Sequence, residues 1–159
     1  MVILNTGGTF NKRYDPISGE LFVPADNGAI EAICRVLAIS IDIRGIIHKD
    51  SLEMDEADRA LLCDTIRQSA QERIVVVHGT DTMGLSAAAV AAAGLDKTVV
   101  FTGAMVPFSI DPIEATANLA MAMGYAQSVS GGVSIVMQGV MGPYDRVKKN
   151  RKLGKFEYV

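Results

Sequence analysis

Two kinds of apolar pattern alternate along this chain. Val2-Ile-Leu4, Ile74-Val-Val-Val77, Thr98-Val-Val-Phe101 and Val133 to Met137 are short runs with little polar interruption. That is the signature of strands buried on both faces of a parallel sheet. Between them the apolar spacing becomes helical. Ile30, Ile33, Cys34 and Leu37 recur at i, i+3, i+4 and i+7, which predicts a helix capped by Asp26-Asn27. Ile39-Ser-Ile-Asp-Ile-Arg44 alternates strictly and predicts a strand continuing toward Ile47. A second helix is expected from about Asp55 to Gln68, with Ala57, Leu61, Leu62 and Ile66 on its apolar face. Its acids Asp55, Glu56 and Asp58 crowd the first turn, where the macrodipole favours them. An alanine-rich helix follows Met83 to about Ala93, and another opens at Asp111-Pro-Ile-Glu114 and runs to about Gln127. There Asp caps, Pro suits the first helical position and Glu completes a capping box. Lys155 to Val159 reads as an edge strand. The alternation predicts an α/β fold of three layers, α/β/α, around a mostly parallel sheet that is mixed at its edge. Residues 1–159 are expected to form a single domain, with no second domain.

The polar breaks fall at matching places. Thr9, Ser51, Thr80-Asp81 and Gly103-Ala104 each stand just past the C-terminal end of a predicted strand, where ligands bind in open parallel sheets. The first of these ends is Thr6-Gly-Gly-Thr9, and paired glycines at a strand end mark a tight turn open to close approach. After Thr9 the segment carries Asp15-Pro16 and Ser18-Gly19 and no helical period. A phosphate-binding turn would feed a helix here, and neither Gly-x-Gly-x-x-Gly nor Gly-Lys-Ser/Thr is present. A hairpin flap at about residues 10–22, with Tyr14 near its tip, fits better.

Composition narrows the chemistry. A net charge of −3 argues against nucleic acid or an anionic membrane as partner. No apolar run reaches the roughly 20 residues of a membrane helix, and the apolar start is too short for a leader, so a cytoplasmic location is expected. Cys34 and Cys63 lack metal spacing and read as reduced core residues. No His/Cys/Glu cluster suits a metal. His48 and His78 are far apart, and His78 adjoins a buried strand, so it reads as structural rather than as a triad member. The remaining nucleophile is a threonine served by another base. Tyr14, Lys148 and Lys149 are the candidates, the lysines belonging to the otherwise solvated run Arg146 to Lys152.

Thr6-Gly-Gly-Thr9 and His78-Gly-Thr-Asp-Thr-Met83, in that order and separation, resemble the two signature motifs of bacterial-type L-asparaginases, in the asparaginase/glutaminase family. Asp50-Ser-Leu-Glu-Met54 and Gly103-Ala-Met-Val-Pro107 resemble two further family segments. The resemblance implies an amidohydrolase without metal or cofactor, acting on the small molecules asparagine and aspartate through an acyl-enzyme. It assigns Thr9 as nucleophile, Tyr14 on a mobile flap as its partner, and Thr80, Asp81 and Lys149 as a second network, with Lys148 the alternative lysine. It further implies that Ser51 holds the substrate α-carboxylate and Asp81 its α-ammonium. Gly8, Ala104 and backbone N–H groups near Thr9 and Thr80 would line the acyl site. Family members assemble as dimers of dimers, so a homodimer or homotetramer is expected. Leu52 stands where the family often has glutamine. The family's second domain supplies ammonium-binding groups to a neighbouring protomer; with a single domain expected here, Glu20, Glu53 or a partner's surface would be expected to substitute. Glutaminase or broader amidase activity stays open, since one methylene is worth only about 1–3 kcal/mol. A noncatalytic amino-acid-binding module is the reading from another class.

Overall fold

The computed structural model describes residues Met1–Val159. Its main sheet has six strands in the order β4-β1-β5-β6-β7-β8. They are β1 (Val2–Gly7), β4 (Asp42–Lys49), β5 (Arg73–Val77), β6 (Thr98–Thr102), β7 (Gly132–Met137) and β8 (Val140–Pro143). All neighbours are parallel except β7 and β8. The helices are α1 (Gly28–Cys34), α2 (Glu56–Gln68), α3 (Met83–Ala92) and α4 (Pro112–Ser128). Two hairpins stand apart from the sheet: β2 (Arg13–Asp15) with β3 (Glu20–Phe22), and β9 (Val147–Asn150) with β10 (Lys155–Tyr158).

The uninterrupted apolar runs are explained by two cores on opposite faces of the sheet. Val2, Leu4, Ile74, Val76, Val99, Phe101, Ile135 and Met137 pack on one face with Leu62 and Ile66 of α2, Met83, Ala87 and Val90 of α3, and Val147 and Phe156 of the β9–β10 hairpin. Ile3, Val75, Val77, Val100 and Val136 pack on the other, against α1 and α4. Because strand side chains alternate, each residue of these runs has its own core to enter. The result is a three-layer α/β/α arrangement.

The strand order also locates the site. Counted in chain order, the parallel strands lie 2-1-3-4-5, so the order reverses beside β1. Ligand crevices form at such a reversal, outside the carboxyl ends of the strands. Here those ends are Gly7, leading to Thr9, and Val77, leading to Thr80.

Several local expectations are corrected. Helix α1 ends at Cys34, and Leu37 lies beyond it. Strand β4 begins at Asp42 rather than Ile39, because the β1 register first offers a partner at Val2↔Asp42. On α2 only Leu62 and Ile66 are buried, and Leu61 is exposed. Asp55 and Asp58 form a reciprocal capping box there. At α4, Asp111 caps through the Ile113 N–H at 3.0 Å, but Glu114 does not return to the cap. Its carboxylate instead accepts from the Met105 and Val106 N–H groups at 3.0–3.2 Å. The segment 155–159 is not the sheet edge. That edge is β8, whose Gly142 and Pro143 conceal it, proline being tolerated where no ladder partner is needed.

Candidate active site

Glycines lock four strand-end loops together. Gly8 has φ +74° and ψ −172°, and a Cβ there would stand 2.4 Å from the Gly79 Cα and 2.5 Å from its nitrogen. A Cβ on Gly79 would come within 2.6 Å of the Ser51 Oγ, and one on Gly103 within 2.3 Å of the His78 carbonyl. The turns after β1, β5 and β6 therefore meet backbone to backbone, and the turn after β5 meets the one after β4 at the Ser51 side chain. No side chain larger than hydrogen fits those junctions, and the functional groups beside them are drawn toward one place.

Thr9 opens a short 3₁₀ turn, Thr9–Asn11, as a half-buried residue after an almost wholly buried strand. Its hydroxyl bonds to no protein group. The turn is anchored by buried Phe10, by Asn11 donating to the Asp26 carbonyl at 2.7 Å, and by a Lys12–Asp50 ion pair at 2.5 Å. Burial raises the Asp50 carboxyl, but the Leu52 N–H and Lys12 together outweigh it and hold the group below its ordinary range. That ion pair ties the segment after Thr9 to the Ser51 loop.

Thr80 and Asp81 share one cation. Lys149 Nζ donates to Thr80 Oγ1 at 2.8 Å and to Asp81 Oδ1 at 3.0 Å, with 14% of its side chain exposed. Lys148 lies on the other face of β9, paired across the hairpin with Glu157 and exposed. Arg151 adds a bond to the Asp81 carbonyl at 3.2 Å. Ser51 is buried, its hydroxyl against Gly79 and its carbonyl accepting from Thr82 Oγ1 at 2.7 Å. Ala104 is fully buried in the loop that Glu114 holds. His78 is structural in its contacts. Nδ1–H donates to the Gly79 carbonyl at 2.8 Å, Nε2 has no partner, and burial lowers the imidazole from 6.5 to about 4.

Two proposed site residues are not gathered in. Tyr14 is 60% exposed on the β2–β3 hairpin, its hydroxyl beside Gly19 and without a hydrogen bond to Thr9. Glu53 is exposed, its carboxylate closing the Asp50 turn through the Asp50 N–H at 3.2 Å. Glu20 lies exposed on β3. A cavity of about 420 Å³ lies on the α3 side of the lysine network, lined by Thr80, Asp81, Tyr144, Lys149, Arg151 and Phe156 among others; Thr9 does not line it. No three His, Cys, Asp or Glu side chains are grouped to hold a metal ion. No helix is long and apolar enough to cross a membrane.

The family model described as asparaginase, N-terminal, matches residues 1–154. The chain belongs to the asparaginase family. It is 26% identical over 159 residues to an L-asparaginase of Thermococcus kodakarensis, covering 97% of this chain and 48% of that protein. It is 31% identical over 149 residues to a glutamyl-tRNA(Gln) amidotransferase component of Pyrococcus furiosus, covering 87% of this chain and 33% of the relative. In structure it resembles the thermostable L-asparaginase from Thermococcus kodakarensis, with TM-score 0.83, 23% identity, and coverage of 99% of this chain and 50% of that one. A probable cytoplasmic L-asparaginase from Campylobacter jejuni gives TM-score 0.77 at 24% identity, with 99% and 52% coverage. The chain thus spans a third to a half of the length of these asparaginase-family relatives.

Sequence reasoning missed Lys12, Arg151, Asn118 and the true partner of Glu114. Arg151 was hidden in a basic run that reads as solvated. Asn118 donates to the Gly103 carbonyl at 2.9 Å from the middle of a helix, and a polar residue on that helix's apolar stripe was the available signal.

Proposed function

We propose that this chain hydrolyses the side-chain amide of L-asparagine, giving L-aspartate and ammonia. Thr9 Oγ attacks the amide carbon, and N–H groups beside Thr9 and Thr80 receive the developing oxyanion. Such donors are worth about 3 kcal/mol each in comparable sites. The C–N bond then breaks, the threonine proton leaves with ammonia, and an aspartyl ester remains on Thr9. Water activated by Thr80 and Lys149 attacks that ester, returns a proton to Thr9 Oγ and frees aspartate. Ser51 and Asp81 bind the α-carboxylate and α-ammonium. Tyr14, exposed on the β2–β3 hairpin, takes part when that hairpin folds over Thr9. The observation that carries this reading is the Lys149 Nζ contact to both Thr80 and Asp81, in a turn packed through Gly79 against Gly8, next to Thr9.

The reading includes a homodimer or homotetramer in the cytoplasm, the compartment named for the Campylobacter neighbour. Helix α3 supports association: it carries no charged residue and leaves Leu85 62% exposed. Sedimentation tests it. The amidotransferase relatives favour a second reading, amide hydrolysis in the service of an amidotransferase, with glutamine as the competing substrate.

Ammonia release from asparagine and glutamine, measured for the parent, Thr9→Ala and Thr80→Val, tests the proposal. The parent should release ammonia at least a hundredfold faster than Thr9→Ala. If neither amide is cleaved above that background, the reading fails, and aspartate binding without turnover would make the chain an amino-acid-binding module.

A further inference from the structure

We propose that Gln138 is a positioning residue for Lys149, acting through the backbone N–H of Phe156. The inference rests on the assignment of Lys149 to the Thr80–Asp81 network. Gln138 and Gly139 form the two-residue turn between β7 and β8, with φ +54° and +83°. Such a turn favours Asn-Gly, because both residues sit at positive φ. Gln138 is the one non-glycine residue in the chain with positive φ. A left-handed conformation is unfavourable for an ordinary side chain, so this side chain is kept where asparagine or glycine would suit the backbone better.

Its contacts show what the side chain does there. Oε1 accepts from the Phe156 N–H at 3.0 Å, and Nε2 donates to Glu114 Oε1 at 3.3 Å. The Gln138 N–H donates to Asn118 Oδ1 at 2.8 Å. Phe156 is the direct cross-strand partner of Lys149. Its N–H points away from β9 and has Gln138 as its acceptor. Directly opposed residues on a hairpin project from the same face, so fixing Phe156 fixes the base from which Lys149 reaches Thr80.

The other end of the connection is the loop after β6. Glu114 holds the Met105 and Val106 N–H groups, and Asn118 holds the Gly103 carbonyl. Gln138 therefore joins the Gly103–Val106 loop to the hairpin that carries the catalytic lysine. Two walls of the site, from segments far apart in sequence, are held in one register. The β9–β10 hairpin makes no ladder with the main sheet, so this bond supplies part of what a ladder would otherwise provide.

The test uses Gln138→Asn and Gln138→Gly in the full chain. Both suit the positive-φ turn, and neither side chain spans to Phe156, asparagine being about 1.5 Å too short. Melting temperatures should stay within a few degrees of the parent. The Phe156 amide should exchange at least tenfold faster, and the Thr80 γ-methyl resonance should shift as Lys149 moves. On asparagine, kcat should fall about tenfold while KM stays within twofold, a split that a purely structural role would not produce. A parent-like Thr80 methyl resonance in a variant whose Phe156 amide has lost protection overturns the proposal. So does unchanged Phe156 exchange. Exchange and methyl shifts need no turnover, so failure of the asparaginase reading would appear separately, as absence of ammonia from the parent.

Discussion

Replacing Gly8 by alanine tests the interlock on which the site is built. Two costs add at this position. With φ +74° and ψ −172°, Gly8 occupies a region that is essentially glycine-only, where another residue costs about 1–3 kcal/mol. The new Cβ would also lie 2.4 Å from the Gly79 Cα, and carbon atoms need about 3.5 Å. Opening that gap displaces backbone against backbone, with no side chain free to yield, and overpacking of this kind costs about 1–3 kcal/mol more. The expected loss is about 2–6 kcal/mol, a large share of the roughly 5–15 kcal/mol that holds a domain together. Two controls separate the causes. Gly139→Ala has φ +83° with nothing nearby, so only the backbone cost of about 1–2 kcal/mol applies. Gly124→Ala sits in α4 with open space and should stabilise by about 0.5–1 kcal/mol. Urea unfolding followed by circular dichroism gives the three values. Ammonia release should fall about a hundredfold in Gly8→Ala, because a shift near 1 Å moves Thr9 relative to Thr80. If Gly8→Ala is no less stable than Gly139→Ala, the contact with Gly79 does not hold these turns together.

Two further predictions concern the same turns. Burial holds the His78 imidazole at about 4 against 6.5 when unfolded, so between these values the unfolded chain binds the extra proton. Stability should be full above pH 6.5 and fall as pH drops toward 4, by about 2 kcal/mol between pH 7 and 5. Urea unfolding of the parent should show that loss and His78→Asn should lack it, and an imidazole NMR midpoint near 6 would remove its basis. Lys149→Met should lower kcat for asparagine by about 10²–10⁴, the usual range for a proton-transfer group, while Lys148→Met stays within twofold. Equal losses in the two variants would mean that neither lysine is singled out by its contacts.

The sheet was legible because its strands have a core on each face. Ile74-Val-Val-Val77 has no polar residue to hide which face is buried, and its neighbours repeat the pattern. The place of the candidate site was legible for a related reason: Thr9, Ser51, Thr80 and Ala104 follow predicted strands, and the structure brings those strand ends together. Elements that answer to a partner rather than to their own pattern were not. Strand β4 starts where β1 can pair with it, and β8 is a short edge with Gly and Pro. Glu114 follows the capping spacing yet serves the loop after β6, because two N–H groups there outweigh one at the cap.

Lys149 shows most plainly how far pattern reaches. By apolar and polar pattern alone it is one cation among Arg146, Lys148, Lys149, Arg151 and Lys152, and only the family resemblance marks it off from the others. Strand parity turns Lys148 and Lys149 to opposite faces, but parity does not say which face meets the site. That is decided by Val147 and Phe156 entering the core, and by Gln138 holding the Phe156 N–H. Apolar anchors two residues before Lys149 and opposite it therefore select the lysine. The contact between Lys149 and Thr80 depends as much on where a phenylalanine is buried as on the charge Lys149 faces.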